Sequence, residues 1–172
     1  MALTKKQLAG EPENAWVREV YEASFPEDER RDFDDLFQLF NNDKDLHIYT
    51  VDNDGHLCAF IIYWTFADFV YIEHFAVDSS FRNRGLGSSI LQDFMQENAL
   101  PIVLEVEIPS DETSRKRISF YERSGFIIHP QKYIQPAYSS GKSQVEMRLM
   151  SRGSIDFDAV KGRIYERVYG IF

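Results

Sequence analysis

The chain has 172 residues, of which 44% are hydrophobic, 27% charged and 15% aromatic, a composition typical of one folded domain. This apolar content excludes intrinsic disorder, and a chain of this length buries enough surface to fold without a disulfide or a metal. The formal charge of −9 excludes a general nucleic-acid binder and favours a basic partner or substrate.

Nothing in the sequence indicates export or membrane insertion. Residues 1–7 contain no apolar run of the signal-peptide type, and no apolar stretch approaches the ~20 residues that a membrane span needs. Cys58 lies in an apolar segment, which predicts a small core residue rather than a nucleophile. We therefore expect a cytoplasmic protein without membrane contacts.

The amino-terminal third predicts two amphipathic helices and is strongly acidic. Apolar residues recur there at helical spacing: Trp16, Val17, Val20 and Tyr21, then Phe33, Leu36, Phe37 and Phe40. Between Glu11 and Asp54 fourteen acidic residues face four basic ones, so this segment alone carries −10. The acidic side chains are either a solvated outer face or a field that attracts a cationic substrate.

The rest of the chain alternates between strands and helices. Strands are predicted at 46–51, 56–66, 69–77, 102–108, 126–133 and 144–150, and helices from 86 to before 101 and over 111–124. This order predicts one mixed α/β (α+β) domain over residues 1–172. A carboxy-terminal helical tail, residues 153–172, is expected to pack on the domain or on a second copy in a homodimer, and the sequence leaves that choice open.

A glycine turn with two arginines stands between a strand and a helix: Phe81-Arg82-Asn83-Arg84-Gly85-Leu86-Gly87-Ser88-Ser89. Free backbone N–H groups and the helix dipole at such a turn favour a phosphate. It is neither a P-loop, which ends in Gly-Lys-Ser/Thr, nor a dinucleotide fingerprint, because position 90 is isoleucine. Taken alone it predicts a phosphate cradle or an ordinary tight turn.

A second motif, Phe120-Tyr121-x-x-x-Gly125-Phe126, follows in the next helix. Together, Arg82-x-x-Gly85-x-Gly87 and this motif resemble the acetyl-coenzyme A signature of the Gcn5-related N-acetyltransferase (GNAT) superfamily, over residues 46–150. The resemblance implies a GNAT-like acyl-CoA N-acyltransferase fold. That fold has a mixed central sheet of about six to seven strands, with two amino-terminal helices on one face and two helices packing the other.

The resemblance also implies how acetyl-CoA binds as co-substrate. Main-chain groups of Phe75 and Val77 would meet the pantetheine arm, and the turn would bind the pyrophosphate through the amides of Arg82, Asn83, Arg84, Gly85, Leu86, Gly87 and Ser88. Phe120 would complete the site. Ser114 and Arg117 stand where many members have Asn-x-x-Ala, so Ser114 replaces the usual asparagine only in part. Arg115, Lys116 and Arg117 are the candidates to reach the 3′-phosphate, and at least two of them are expected to be solvated instead.

The reaction needs a base for the amine and an acid for the leaving thiolate. The resemblance places Tyr121 near the thioester sulfur as the acid, and Val77 N–H, at an expected bulge, is a donor for the oxyanion. Glu73 is the predicted base, because strict alternation puts it on the face of Val77 and opposite His74. Glu105, Glu107 and a bulk-water route remain alternatives.

These features predict an N-acetyltransferase acting on a primary, cationic amine such as a polyamine, aminoglycoside, lysine or peptide amine. In the family the first two helices flank the acceptor cleft, which would place Glu27, Asp28, Asp32 and Asp35 there, and loop 133–138 would supply aromatic walls. No metal is expected, since His47, His56, His74 and His129 are scattered. The alternative is a non-catalytic acyl-CoA-binding regulatory or interaction domain.

Overall fold

The computed structural model describes residues 2–171. Its helices are α1 (Glu13–Ser24), α2 (Phe33–Asn42), α3 (Leu86–Glu97), α4 (Glu112–Arg123) and α5 (Phe157–Tyr169). Its strands are β1 (Leu3–Gln7), β2 (Leu46–Asn53), β3 (His56–Thr65), β4 (Val70–Val77), β5 (Ile102–Glu107), β6 (Ile127–Ile128), β7 (Tyr133–Gln135) and β8 (Val145–Arg152). Among the helices of residues 2–171, none has the length and apolarity of a membrane span.

All eight described strands join one mixed sheet in the order β1-β2-β3-β4-β5-β8-β6, with β7 also paired to β8. The pairs are antiparallel except β4 with β5, which confirms the mixed α/β prediction. The sequence missed β1, because a short edge strand with one apolar residue, Leu3, shows no alternation. The strand predicted over 126–133 is divided into β6 and β7 around Pro130, which cannot donate to a ladder.

The sheet opens at its centre because β4 and β5 separate after three paired positions. Their register ends at Ile72 opposite Leu104, so the residues that follow in each strand do not pair. Immediately beyond this point β4 carries a bulge: Ile62 faces His74 and Tyr63 faces Ile72, which leaves Glu73 as the extra residue. A bulge bends its strand and re-aims side chains, so this irregularity helps to form the opening.

Helices cover both faces of the sheet and bury two apolar clusters. α1, α2 and α5 pack on one face, where Val17, Leu36 and Ile164 are fully buried. α3 and α4 pack on the other, with Leu91 fully buried and Ile118 nearly so. The apolar stripe of the tail helix, Phe157, Val160, Ile164 and Val168, lies in the first cluster, so within the described residues α5 packs on its own domain.

Candidate active site

A pocket of about 450 Å³ occupies the opening between β4 and β5. On one side it is lined by Gly87 at the start of α3 and Phe120 of α4, and on the other by Phe25 at the end of α1 and by His74. The pocket therefore joins the two faces of the sheet. Two substrates that enter from opposite faces can meet in it.

The exposed edge of β4 offers unpaired main-chain groups to this pocket. Asp78 N donates to Cys58 O at 2.8 Å, and hydrogen-bonded and open pairs alternate along an antiparallel ladder. The N–H and C=O groups of Phe75 and Val77 therefore point away from β3, towards the opening. Arg82 Nε donates to Val77 O at 2.9 Å, which leaves Val77 N–H directed into the pocket.

The turn before α3 exposes the donors that the sequence predicted. Gly85 adopts the left-handed conformation (φ 76°), no side chain caps the helix, and the first intrahelical bond runs from Ser89 N to Gly85 O at 3.2 Å. The N–H groups of Leu86, Gly87 and Ser88 precede that bond and are free to bind an anion. The Leu86 side chain is buried in the core, so this residue can offer only its N–H.

The predicted coenzyme residues divide into two groups. Six of the residues predicted to bind the coenzyme line the pocket: Phe75, Val77, Arg82, Gly87, Arg117 and Phe120. Asn83, Arg84, Gly85, Leu86 and Ser88 belong to the turn beside it. Gly87 is closely packed: a Cβ there would lie 3.6 Å from the Phe120 ring and from Val77 Cγ2.

Ser114 has a structural role at the start of α4. It is 2% exposed, and its hydroxyl is engaged in a capping box with Asp111 at the start of α4, donating to Asp111 O at 3.0 Å. Ser114 therefore stabilises the helix terminus, and it is not among the pocket residues. Three residues further on, Arg117 does line the pocket, with Nη1 2.9 Å from Glu107 Oε1.

Tyr121 lies in the pocket beside Phe120, as predicted. Its side chain is 8% exposed, and burial raises the pKa of Tyr121 to about 12. The phenol therefore keeps its proton at neutral pH.

Glu73 lies in the pocket but is surrounded by donors. Its buried carboxylate accepts from Trp64 Nε1 at 2.6 Å and Tyr138 OH at 3.1 Å, and Arg31 Nη2 lies 3.2 Å away. Both oxygens of Glu73 are therefore engaged within the protein, Oε2 by Trp64 and Oε1 by Tyr138 and by the cation of Arg31, and this geometry weighs against Glu73 as the base. Strict alternation failed here because Glu73 is the bulged residue, and its side chain contacts Trp64 on the α1–α2 face.

Glu105 of β5 is the stronger candidate for the base. It lines the same pocket, its Oε1 accepts from Tyr133 OH at 2.5 Å, and Tyr169 OH lies 2.9 Å from both oxygens. The pKa of Glu105 is raised to about 7: burial is the largest cause, the tyrosine hydrogen bonds oppose it, and the charge of Glu73 adds to it. A carboxylate with this pKa exchanges a proton near neutral pH.

Glu29 brings the acidic segment into the pocket. It lies in the short 3-10 turn between α1 and α2, where burial and then the charge of Glu107 raise the pKa of Glu29 to about 7. The four acids predicted at the cleft, Glu27, Asp28, Asp32 and Asp35, do not line it. Asp28 and Asp32 instead bind the β7–β8 loop, through Ser143 N at 2.9 Å and Lys142 Nζ at 3.0 Å.

The loop predicted to form aromatic walls contributes Gln135 and Tyr138 to the lining. Of the histidines, His74 lines the pocket, and burial lowers the pKa of His74 to about 4, so its imidazole is neutral. Residues 2–171 contain no cluster of three or more metal-ligating side chains. Cys58 is buried, and burial raises the pKa of its thiol to about 11, in agreement with a core role.

The sequence and the fold both match known acetyltransferases. Residues 14–126 match the model of the acetyltransferase (GNAT) family, and this match covers more than half of the chain. The chain belongs to the GNAT family of acetyltransferases. It is therefore an acyl-CoA-dependent acetyltransferase. The matched segment ends before β6, so β6, β7, β8 and α5 lie beyond it.

Solved structures agree with the family. A Bacteroides thetaiotaomicron protein assigned to the GNAT family is 31% identical, with a TM-score of 0.92 over 98% of this chain and 99% of that one. The ribosomal-protein-S18-alanine N-acetyltransferase of Escherichia coli is 18% identical (TM-score 0.64; 90% and 97% covered). Arabidopsis thaliana Naa50, bound to the bisubstrate analogue CoA-Ac-MVNAL, is 15% identical (0.66; 90% and 100%). No curated protein sequence matched the chain.

Proposed function

We propose that this GNAT enzyme transfers an acetyl group from acetyl-CoA to a cationic primary amine, by direct attack within a ternary complex. The observation that carries the proposal is the pocket between β4 and β5. It holds a free strand edge, a phosphate-type helix turn, a protonated phenol and a carboxylate with a pKa near 7 in one cavity.

The residues present fit coenzyme A. The free amides before Ser89 suit its pyrophosphate, and Arg82 adds positive charge on the same side. The unpaired edge at Phe75 and Val77 suits the amide groups of an extended pantetheine arm, which can add to the sheet like a short strand. Phe120 and Gly87 form the apolar floor beneath that arm.

In the reaction, the amine nitrogen forms a bond to the thioester carbon and the carbon–sulfur bond breaks. Glu105 takes the proton that the amine must lose, because a protonated amine has no free electron pair. Val77 N–H is directed towards the pocket and stabilises the negative charge that develops on the acetyl oxygen. Tyr121 gives its proton to the leaving thiolate and recovers one, through solvent, from the nitrogen as the intermediate collapses to the amide. Glu105 releases the first proton to solvent, so each turnover of a protonated amine releases one proton.

Charge supports a cationic acceptor. Glu29 and Glu105 line the part of the pocket on the face of the sheet that carries α1, α2 and α5, which we call the acceptor half. Among residues 2–171 neither has a basic partner at salt-bridge distance. Glu73 and Glu107, by contrast, are paired with Arg31 and Arg117. Carboxylates of this kind raise the local concentration of an ammonium group and disfavour an acidic acceptor. Tyr138 adds an aromatic face to the same region.

The test is thiol release from acetyl-CoA with a panel of amines: spermidine, an aminoglycoside, free amino acids and short peptides. We expect one class to stimulate release, and Tyr121→Phe to lower kcat by about 10²-fold or more at saturating amine. Tyr49→Phe, which removes a hydroxyl outside the pocket, is the matched control. Tight acetyl-CoA binding with no release on any amine would instead support a coenzyme-binding regulatory domain.

A further inference from the structure

The acceptor half of the pocket contains buried polar atoms that form no hydrogen bond with any group of residues 2–171. His74 is 4% exposed, and within residues 2–171 its Nε2 has no hydrogen-bond partner. Ser24 Oγ, in the same lining, is also buried without a partner. The imidazole is held in place by Tyr21, edge-on at 5.1 Å, and by Phe25 at 4.4 Å between ring centroids.

A buried polar atom without a hydrogen-bond partner lowers the stability of the fold. A buried polar group without a partner destabilises a protein by about 1–3 kcal/mol, so native structures seldom keep two of them in one pocket wall unless a ligand or water meets them. Neither His74 nor Ser24 has a part in the proton transfers proposed above. They line the same pocket as Glu29, and a role in recognising the acceptor remains for them.

We propose that His74 and Ser24 form an acceptor subsite for an amide group, and that the acceptor is a peptide-type amine whose amino group neighbours that amide. This inference rests on the proposed function and names its substrate class. Glu29 attracts the ammonium form as it enters, and the subsite fixes the amide while Glu105 removes the proton.

The chemistry of the two groups selects an amide. A neutral imidazole nitrogen and a hydroxyl together offer an uncharged donor and an uncharged acceptor, which match the N–H and C=O of a peptide group. A protonated polyamine offers N–H donors but no acceptor, so it cannot pair with the donor of such a subsite.

The experiment compares kcat/KM for a short peptide with a free amino terminus, for spermidine and for an aminoglycoside. His74→Phe keeps the ring packing and removes Nε2, and Ser24→Ala removes the hydroxyl. In each variant we expect KM for the peptide to rise by about 10- to 100-fold, with spermidine turnover changed by less than about threefold. His56→Phe, an exposed site outside the pocket, should behave like the wild type.

Two further readouts separate the possible failures. Melting temperature with and without acetyl-CoA shows whether each variant folds and binds the coenzyme, and calorimetry measures peptide binding to the CoA-loaded enzyme even where turnover is slow. Equal use of spermidine and peptide, or an equal loss for all acceptors in both variants, would overturn the subsite while leaving acetyl transfer intact. Absence of both acetyl-CoA binding and amine-dependent release would overturn the proposed function itself.

Discussion

Glu73 and Glu105 lie across the same opening in the sheet, yet their partners differ. Glu73 has an arginine within 3.2 Å, whereas Glu105 accepts only from neutral phenols. Arg31 forms an ion pair with Glu73, whereas the pKa of Glu105 is raised to about 7, mainly by burial, with the tyrosine hydrogen bonds acting in the opposite direction. The ion pair gives Glu73 a structural role, and Glu105 is the proposed proton acceptor.

The pH dependence of the reaction follows from this separation. Glu105 must be ionised to accept a proton, so kcat/KM should rise with pH through about 7 and then level off. No fall from Tyr121 is expected below pH 9, because its pKa is about 12 and the phenol stays protonated. The pH profile is measured with an acceptor whose amine does not change protonation over the pH range, or it is corrected for the pKa of that amine. An acidic limb at pH 4–5 would contradict the role of Glu105.

At the scale of elements, α5 reaches the site from outside the segment that matches the family model. Tyr169 in its last turn lies 2.9 Å from both oxygens of Glu105, and the carbonyl of Val168 accepts from Arg31 at 2.5 Å. The tail therefore positions both carboxylates. The groups that face Glu105 are Tyr133 of β7, Tyr169 of α5, and Tyr71 and Glu73 of β4.

Tyr169→Phe tests the contribution of α5. Its hydroxyl lowers the pKa of Glu105, so its removal should move the acidic limb of the pH profile to higher pH, by up to about one unit. Activity at pH 7 then falls and is recovered at pH 8–9. Tyr165→Phe, on the same helix, loses only a bond to Ile134 O and is the control. A uniform loss at every pH would show that Tyr169 acts only through folding.

At the scale of the whole molecule, the formal charge of −9 produces a field that attracts cations, and Glu29 brings a carboxylate of the acidic amino-terminal segment into the pocket. Glu29→Gln should raise KM for a cationic amine about three- to tenfold at low salt, with kcat little changed, because a single charge near a binding site contributes on this order. Glu27→Gln, exposed and outside the pocket, is the control. If added salt alters KM equally in both variants, Glu29 has no special role.

Local patterns predicted the fold class and the turn before α3, because glycine spacing and helical periodicity involve neighbouring residues, and the family resemblance pointed to Tyr121. Features that depend on contacts between residues far apart in the chain could not be predicted from the sequence. The bulge at Glu73 arises from pairing with β3, and the choice of Glu29 among the acids depends on how the α1–α2 segment meets β5. Ser114 was assigned to the coenzyme by resemblance, whereas the capping pattern Asp111-x-x-Ser114 in the sequence indicates a helix start.

The most direct test of this account is kcat for Glu105→Gln beside Glu73→Gln, at saturating acetyl-CoA and acceptor amine over pH 6–9. Glutamine keeps the shape of each side chain and removes its capacity to take a proton. We expect Glu105→Gln to lose about 10²- to 10⁴-fold in kcat together with the acidic limb, while Glu73→Gln keeps that limb. An acidic limb that persists in Glu105→Gln and disappears in Glu73→Gln would contradict the account and return the base to Glu73.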